Sequence, residues 1–222
     1  MVKVVIKKRV NQFNEVINVD GDKSLSIRSL LIGSQSFGIC KIKNLPKSED
    51  ILSTISGLKK LGIKIYFRDK ICFIHGKGLN GFEYKKNIVI NAGNSGTFAR
   101  LLLGLLIKSP YVLKIIGDKS LSRRDFKRII NPLEQFGAKF IANKKKTLPL
   151  RILGSEYLKP INFFEKKGSA QCKSSVILAA LNTPGKTTIV AKKSRNHTEL
   201  LLKHLKLPIK VISNKKHDLI EI

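Results

Sequence analysis

Tryptophan is absent from this 222-residue chain, methionine occurs once, and aromatic side chains make up only 7% of it. A core must therefore be built from aliphatic side chains, and the apolar fraction of 42% suits a soluble globular chain of one large domain or two small ones. Long apolar runs are also missing. The longest, Leu101 to Ile107 and Val176 to Leu181, fall well short of the ~18 residues that a helical membrane span needs. The opening MVKVVIKKRV has cations but neither a sustained apolar stretch nor a small-residue cleavage site, so no signal peptide is expected and the expected location is cytoplasmic. Cys40, Cys72 and Cys172 are odd in number and far apart, which predicts reduced thiols. Neither they nor His75, His197, His204 and His217 have metal-ligand spacing, so no metal is expected. There is no GxxxxGK[ST], which excludes phosphate binding through a P-loop.

Acidic residues are scarce: 15 against 43 Lys plus Arg, a formal net charge of +28. Such a balance invites a nucleic-acid reading, because basic surfaces displace counterions from phosphates. Lysines dominate the excess, however, and they are spread along the whole chain among abundant Ile and Asn rather than gathered in a stripe. Arginine, not lysine, carries most base readout. A basic RNA-binding domain is therefore kept only as an alternative.

What the chain does have is a repeat of about seventy residues. Aligning Ser24, Gly96 and Ser169 brings SLSIRSLLIGSQSFGICKIK, GTFARLLLGLLIKSPYVLKII and SAQCKSSVILAALNTPGKTTIV into register. Each begins with a small residue, carries a cation four places later (Arg28, Arg100, Lys173), continues apolar at helical spacing and reaches a strand-like stretch. A second helix and more strands follow each time, with Ser48, Ser120 and Ser194 expected as N-caps and Gly62, Gly137 and Pro208 as stops. The spacing predicts three βαβαββ units over about 22–90, 91–154 and 155–222, an α/β (α+β) domain with helices inside and sheets outside. Residues 1–21, with the strand-like KVVIKK and the turn NVDGDKS, read as a lead-in from another domain.

The unusual polar residues gather at one place in every unit, the start of its first helix. Lys23, Ser24 and Arg28 stand at the first, Asn94, Ser95, Gly96, Thr97 and Arg100 at the second, and Ser169, Gln171 and Lys173 at the third. Helix N-termini offer unpaired N–H groups and a positive dipole end, which suit an anion. Taken singly, each serine is an N-cap and each cation a solvated side chain; repeated in register, they read as a site. Arg123 and Arg124, with Ser194 and Arg195, make the expected ligand polyanionic.

The blocks DKSLSIRSLLIGS, NAGNSGTFARLL, GDKSLSRRDFKRIINPLEQFGA, GSAQCKSSVILAALN and KSRNHTELLL, in that order, resemble 5-enolpyruvylshikimate-3-phosphate synthases (3-phosphoshikimate 1-carboxyvinyltransferases). The resemblance implies one domain of a two-domain inside-out α/β barrel. It further implies transfer of the enolpyruvyl group from phosphoenolpyruvate to the 5-hydroxyl of shikimate 3-phosphate, on the shikimate pathway to chorismate and the aromatic amino acids, without a cofactor. By motif, Lys23 would touch both phosphoenolpyruvate and the target hydroxyl, as the catalytic residue. Shikimate 3-phosphate would be held by Lys23, Ser24, Arg28, Ser169, Ala170, Gln171, Ser194 and Arg195, and phosphoenolpyruvate by Lys23, Asn94, Gly96, Arg124 and Gln171.

The sister UDP-N-acetylglucosamine enolpyruvyl transferases fit less well, since they have Lys-Asn where this chain has Lys23-Ser24 and a loop cysteine that none of the three cysteines matches. Asp125 stands after Arg124 where proline is common, and Leu101, Ala170 and SRNHTE lean toward the glyphosate-tolerant bacterial subgroup. The family carries two such three-unit domains, whereas DLIEI falls near the end of a first set. The resemblance thus implies an incomplete half, inactive alone, that a separately encoded second half could complement, with residues 1–21 belonging to the other domain.

Overall fold

The computed structural model describes residues 5, 7, 12, 14–17 and 19–222. The strand expected at KVVIKK falls mostly outside these residues. From Asp22 onward the chain builds three small sheets around a helical centre.

The first unit runs α1 (Lys23–Ser34), β1 (Phe37–Ile42), α2 (Glu49–Lys60), β2 (Lys64–Arg68) and β3 (Ile71–Lys77). The second runs β4 (Val89–Asn91), α3 (Gly96–Leu105), β5 (Leu113–Ile116), α4 (Lys127–Phe136), β6 (Lys139–Ile141) and β7 (Leu150–Leu153). The third runs β8 (Asn162–Glu165), α5 (Ala170–Ala180), β9 (Thr188–Lys192), α6 (His197–His204), β10 (Lys210–Ser213) and β11 (His217–Glu221). Sheet orders are β4-β5-β7-β6 and β8-β9-β11-β10 in the last two units and β1-β3-β2 in the first. The sheets of units two and three are superimposable in topology: the first pair is parallel and the remaining pairs antiparallel. Unit one is αβαββ among the described residues, so the expected sixth element is missing there.

The first helices lie inside, as the repeat predicts. In α5 every residue from Cys172 to Ala180 is buried, and in α3 only Thr97 and Arg100 of the ten residues are not. These helices are buried on nearly every side because they are surrounded by other helices, whereas α4 buries one side only. Close approach of α3 to α5 depends on Gly104: a Cβ there would collide with the carbonyl oxygen of Ser175. The core that results is almost wholly aliphatic, with Phe98, Phe126 and Phe136 its largest fully buried apolar side chains.

Helix starts correct three expectations. Ser48 occupies the N-cap position of α2, but its hydroxyl makes no capping bond. Ser120 instead opens a 3-10 turn over Leu121–Arg123, and α4 begins later, at Lys127, whose amide donates to Asp125 Oδ1 at 2.6 Å. Asn196, not Ser194, precedes α6. The aligned residues Ser24, Gly96 and Ser169 also fall at different helical positions, because the caps are Asp22, Ser95 and Ser169. Each of those three caps accepts a backbone N–H in the first turn.

Candidate active site

Gly96 is the first residue of α3, and it is overlain by two guanidinium groups. A Cβ built on it would lie 3.1 Å from Arg124 Nη1 and 3.2 Å from Arg100 Nη1. Glycine at this position lets two cations converge on a helix N-terminus, where backbone N–H groups add to their field. The 3-10 turn brings Arg124 there. Asp118 Oδ1 accepts the Leu121 amide at 2.6 Å, and Asp118 Oδ2 accepts from Asn94 Nδ2 at 2.5 Å. Asn94 Oδ1 in turn accepts from Arg124 Nη2 at 3.0 Å. The backbone bond from Leu121 and the side-chain bond from Asn94 hold the Asp118 carboxyl below its usual range.

Arg100 projects from α3 and donates to Gln171 Oε1 at 2.6 Å and to the Asp125 carbonyl at 3.2 Å, with its guanidinium 5.1 Å from the Phe126 ring centroid. Gln171 Nε2 donates to Thr97 Oγ1 at 2.9 Å, which ties the start of α5 to the start of α3. Burial lowers the Arg100 pKa, and Arg124 and Arg128 lower it further against the opposing pull of Asp125. A half-buried cation with further cations beside it marks a place where an anion would relieve repulsion. Arg100 thus stands with Arg124 over Gly96, although the resemblance gave it no role; its recurrence four residues after the small residue was the available signal.

A second cluster lies at α1, α5 and α6. Arg28 is 3% exposed and donates from Nε to Thr198 Oγ1 at 2.7 Å, from Nη1 to the Ser24 carbonyl at 2.9 Å and from Nη2 to Ser174 Oγ at 3.0 Å. Thr198 Oγ1 also donates to Ser174 Oγ at 2.7 Å. Burial lowers the Arg28 pKa and Arg195 adds to this, while Glu199 and Asp22 act the other way. Lys173, expected to be a third cation of the site, is instead fully buried and paired with Glu199 Oε1 at 2.5 Å. Neither Thr198 nor Glu199 was singled out by the sequence. Glu199 lies 26 residues from Lys173 on another helix, so no local spacing reveals the pair.

The remaining residues surround these two clusters. Lys23 stands in the first turn of α1 and pairs with Asp50 Oδ2 of α2 at 3.3 Å, not with the Gly96 cluster. Ser169 caps α5, its amide donating to Glu165 Oε2 at 2.9 Å; Glu165 is itself 3% exposed and fixes the loop that enters α5. Ala170 follows, partly exposed. Ser194 Oγ is buried without a hydrogen-bond partner among the described residues, as is His197 Nδ1, while Arg195 is exposed. Cys72 and Cys172 are buried free thiols whose pKa values burial pushes up to about 11 and about 12; Cys40 is partly exposed. No helix among the described residues is long and apolar enough to cross a membrane.

Capped helix starts, two guanidiniums converging on Gly96 and a set of hydroxyls thus mark a domain assembled from a repeated unit. Comparison with known proteins identifies which: residues 7–221 match the model of the EPSP synthase (3-phosphoshikimate 1-carboxyvinyltransferase) family, and the chain belongs to that family. It is 38% identical over 204 residues to the 3-phosphoshikimate 1-carboxyvinyltransferase of Streptococcus pyogenes serotype M2, with 91% of this chain and 47% of the relative covered. With the Streptococcus mutans enzyme of the same name it shares 38% identity over 200 residues, covering 89% and 47%. Among solved structures, EPSP synthase from Acinetobacter baumannii superimposes with a TM-score of 0.84 at 32% identity, over 93% of this chain and 46% of that one. The chain thus spans about half the length of the curated relatives it matches.

Proposed function

We propose that this chain supplies the shikimate 3-phosphate side, and part of the phosphoenolpyruvate side, of an enzyme that transfers the enolpyruvyl group to the 5-hydroxyl of shikimate 3-phosphate. The observation that carries this reading is the convergence of Arg100 and Arg124 over Gly96. Two anionic substrates repel one another, and preorganised cations and helix N-termini offset that repulsion most effectively in a site shielded from water. The place over Gly96 where the two guanidiniums converge, with Asn94 orienting Arg124 and Gln171 orienting Arg100, takes phosphoenolpyruvate. Ser169, Ala170, Gln171 and the orphan hydroxyl of Ser194 take the phosphate and ring of shikimate 3-phosphate, with Arg195 at the rim. Arg28 keeps two N–H donors beyond the three bonds it makes, and Ser24 sits one helical turn before it, where a substrate carboxylate finds both. Lys23 reaches the target hydroxyl on leaving Asp50, and acts as the proton carrier on this side.

Such a reaction also needs groups that deliver and remove protons from the opposite face, and closure of two domains to exclude water. The chain is accordingly proposed to act with a second three-unit domain, in the cytoplasm, where its free thiols stay reduced. Calorimetric titration of the chain with shikimate 3-phosphate tests the binding reading. Binding that Ser169→Ala and Gln171→Ala weaken is expected; unchanged affinity in both variants refutes the assignment. Phosphate release from phosphoenolpyruvate, assayed with the chain alone and with a separately produced second half of the A. baumannii relative, tests the catalytic reading. Turnover is expected only in the mixture.

A further inference from the structure

Arg28 is a buried cation whose contacts are all neutral. The three oxygens it bonds are two hydroxyls, Thr198 Oγ1 and Ser174 Oγ, and one carbonyl, that of Ser24. It forms no ion pair among the described residues. Buried charges are ordinarily paired, because taking them out of water is costly. Lys173 obeys that rule: it is 0% exposed and holds Glu199, the acid whose charge bears most on Arg28, at 2.5 Å. Arg28 is thus left without an ionic partner in a place that has an acid nearby.

The two hydroxyls are as enclosed as the charge they meet. Thr198 is 0% and Ser174 1% exposed. Thr198 Oγ1 accepts from Arg28 Nε at 2.7 Å and donates to Ser174 Oγ at 2.7 Å, and Ser174 Oγ accepts from Arg28 Nη2 at 3.0 Å. The guanidinium and the two oxygens therefore close a ring across α1, α5 and α6. Ser174 and Thr198 each stand next in sequence to a member of the Lys173–Glu199 pair, which ties the same two helices together. Three bonds out of five N–H groups leave one on Nη1 and one on Nη2. A hydroxyl orients a guanidinium and adds no charge. A carboxylate in place of either hydroxyl would orient it and also neutralise it.

We propose that Thr198 and Ser174 are positioning residues for the substrate carboxylate: they hold Arg28 through Nε and Nη2, leaving its charge unspent and its last two N–H groups to meet both carboxylate oxygens. The inference rests on the reading above, in which Arg28 receives the carboxylate of shikimate 3-phosphate. It adds that the guanidinium is ordered before the ligand arrives, by side chains that bond to Arg28 and not to the ligand. Arginine is rich in rotamers, so fixing it beforehand removes an entropy cost that binding would otherwise carry.

Calorimetric titration of the full chain with shikimate 3-phosphate, and with the analogue whose carboxylate is replaced by a neutral carboxamide, tests this. Thr198→Val keeps the shape and removes the hydroxyl. It should lower affinity for shikimate 3-phosphate about tenfold, whereas Thr198→Ser, which keeps the hydroxyl, should stay within about twofold of the unaltered chain. Against the carboxamide, Thr198→Val should cost less than about twofold, because a neutral group draws little on the charge whose direction is lost. Ser174→Ala should follow the same pattern with a fall of about threefold, and it carries the comparison if the valine variant does not fold. Equal falls for the two ligands, the result of a merely structural hydroxyl, overturn the proposal. Full affinity in Thr198→Val, or a serine variant as weak as the valine one, overturns it as well and leaves the substrate reading standing. If the unaltered chain binds neither ligand, the substrate reading fails and the inference falls with it.

Discussion

The two cation clusters are built from the same repeat position and have opposite fates. Arg100 stays at the surface of the helical centre, beside a second guanidinium and over a glycine, so its charge is aimed at an open place. Lys173, its counterpart in the third unit, is fully buried and its charge is met by Glu199. Arg28 lies between these extremes, buried but still carrying unused donors. Under the proposed function, equivalent sequence positions divide the labour: one cation is left for ligand, one holds helices together and one does both.

The largest effect is expected at the sealed end. Glu199→Ala leaves the Lys173 ammonium buried without a partner and should destabilise the fold by about 3–5 kcal/mol, read from urea unfolding. The double replacement Lys173→Met with Glu199→Leu should recover most of that loss, because an apolar pair avoids desolvating two charges. If Glu199→Ala costs under ~1 kcal/mol, the pair is not the tie between α5 and α6 that its burial implies.

At the open end the expectation reverses: substitutions should cost affinity, not stability. Arg124→Ala should weaken phosphoenolpyruvate binding by about 1.5–3 kcal/mol, the range for hydrogen bonds to charged groups, with stability kept within ~0.5 kcal/mol. Calorimetry and urea melts on the same sample separate the two. A smaller effect, about 1 kcal/mol in affinity, is expected of Gly96→Ala. The added methyl presses on the tips of two flexible side chains, which can yield by a few tenths of an ångström, so the cations shift but the fold does not.

The smallest effect concerns pH. Asp118 anchors both Asn94 and the 3-10 turn, and the hydrogen bonds it accepts from Leu121 and Asn94 hold its carboxyl below the usual carboxylate range. A carboxyl depressed in the folded state contributes stability that is fully present above the unfolded pKa and is lost as pH falls through the folded one. Anion binding at the Arg124 pocket should therefore hold from neutral pH down to the carboxylate range and weaken only below it. Asp118→Asn should mimic the acid form at pH 7, weakening phosphoenolpyruvate binding by less than Arg124→Ala does, read by the same calorimetric titration.

The helical centre and closing strands were legible in the sequence because periodicity and small residues recur in register: ICFIH lies within β3, and LPLRIL and DLIEI fall mostly within β7 and β11. The helix starts were less so. Any serine before an apolar run satisfies the capping rule, yet Ser120 opens a 3-10 turn because Asp118, two residues earlier, takes the Leu121 amide. The site was half legible. Gly96, Arg124 and Gln171 do come together, but Lys173 was misread as a ligand-facing cation because its partner arrives from another helix. Arg100 was legible as a repeated cation of the candidate site, although the resemblance gave it no ligand role. That unit one has no strand ahead of α1 among the described residues could not be read at all, since strand pairing is a tertiary fact.

One consequence of the buried central helix concerns time rather than energy. Residues 172 to 180 of α5 have no face toward solvent, so no local fluctuation short of parting the surrounding helices can expose their amides. Deuterium should enter α5 last, at a rate that reports the opening of the whole domain. In β10, an edge strand exposed along its entire length, it should enter within the fraying time of one short hairpin. A ligand seated at the start of α5 would then slow exchange throughout the helical centre while leaving β10 untouched.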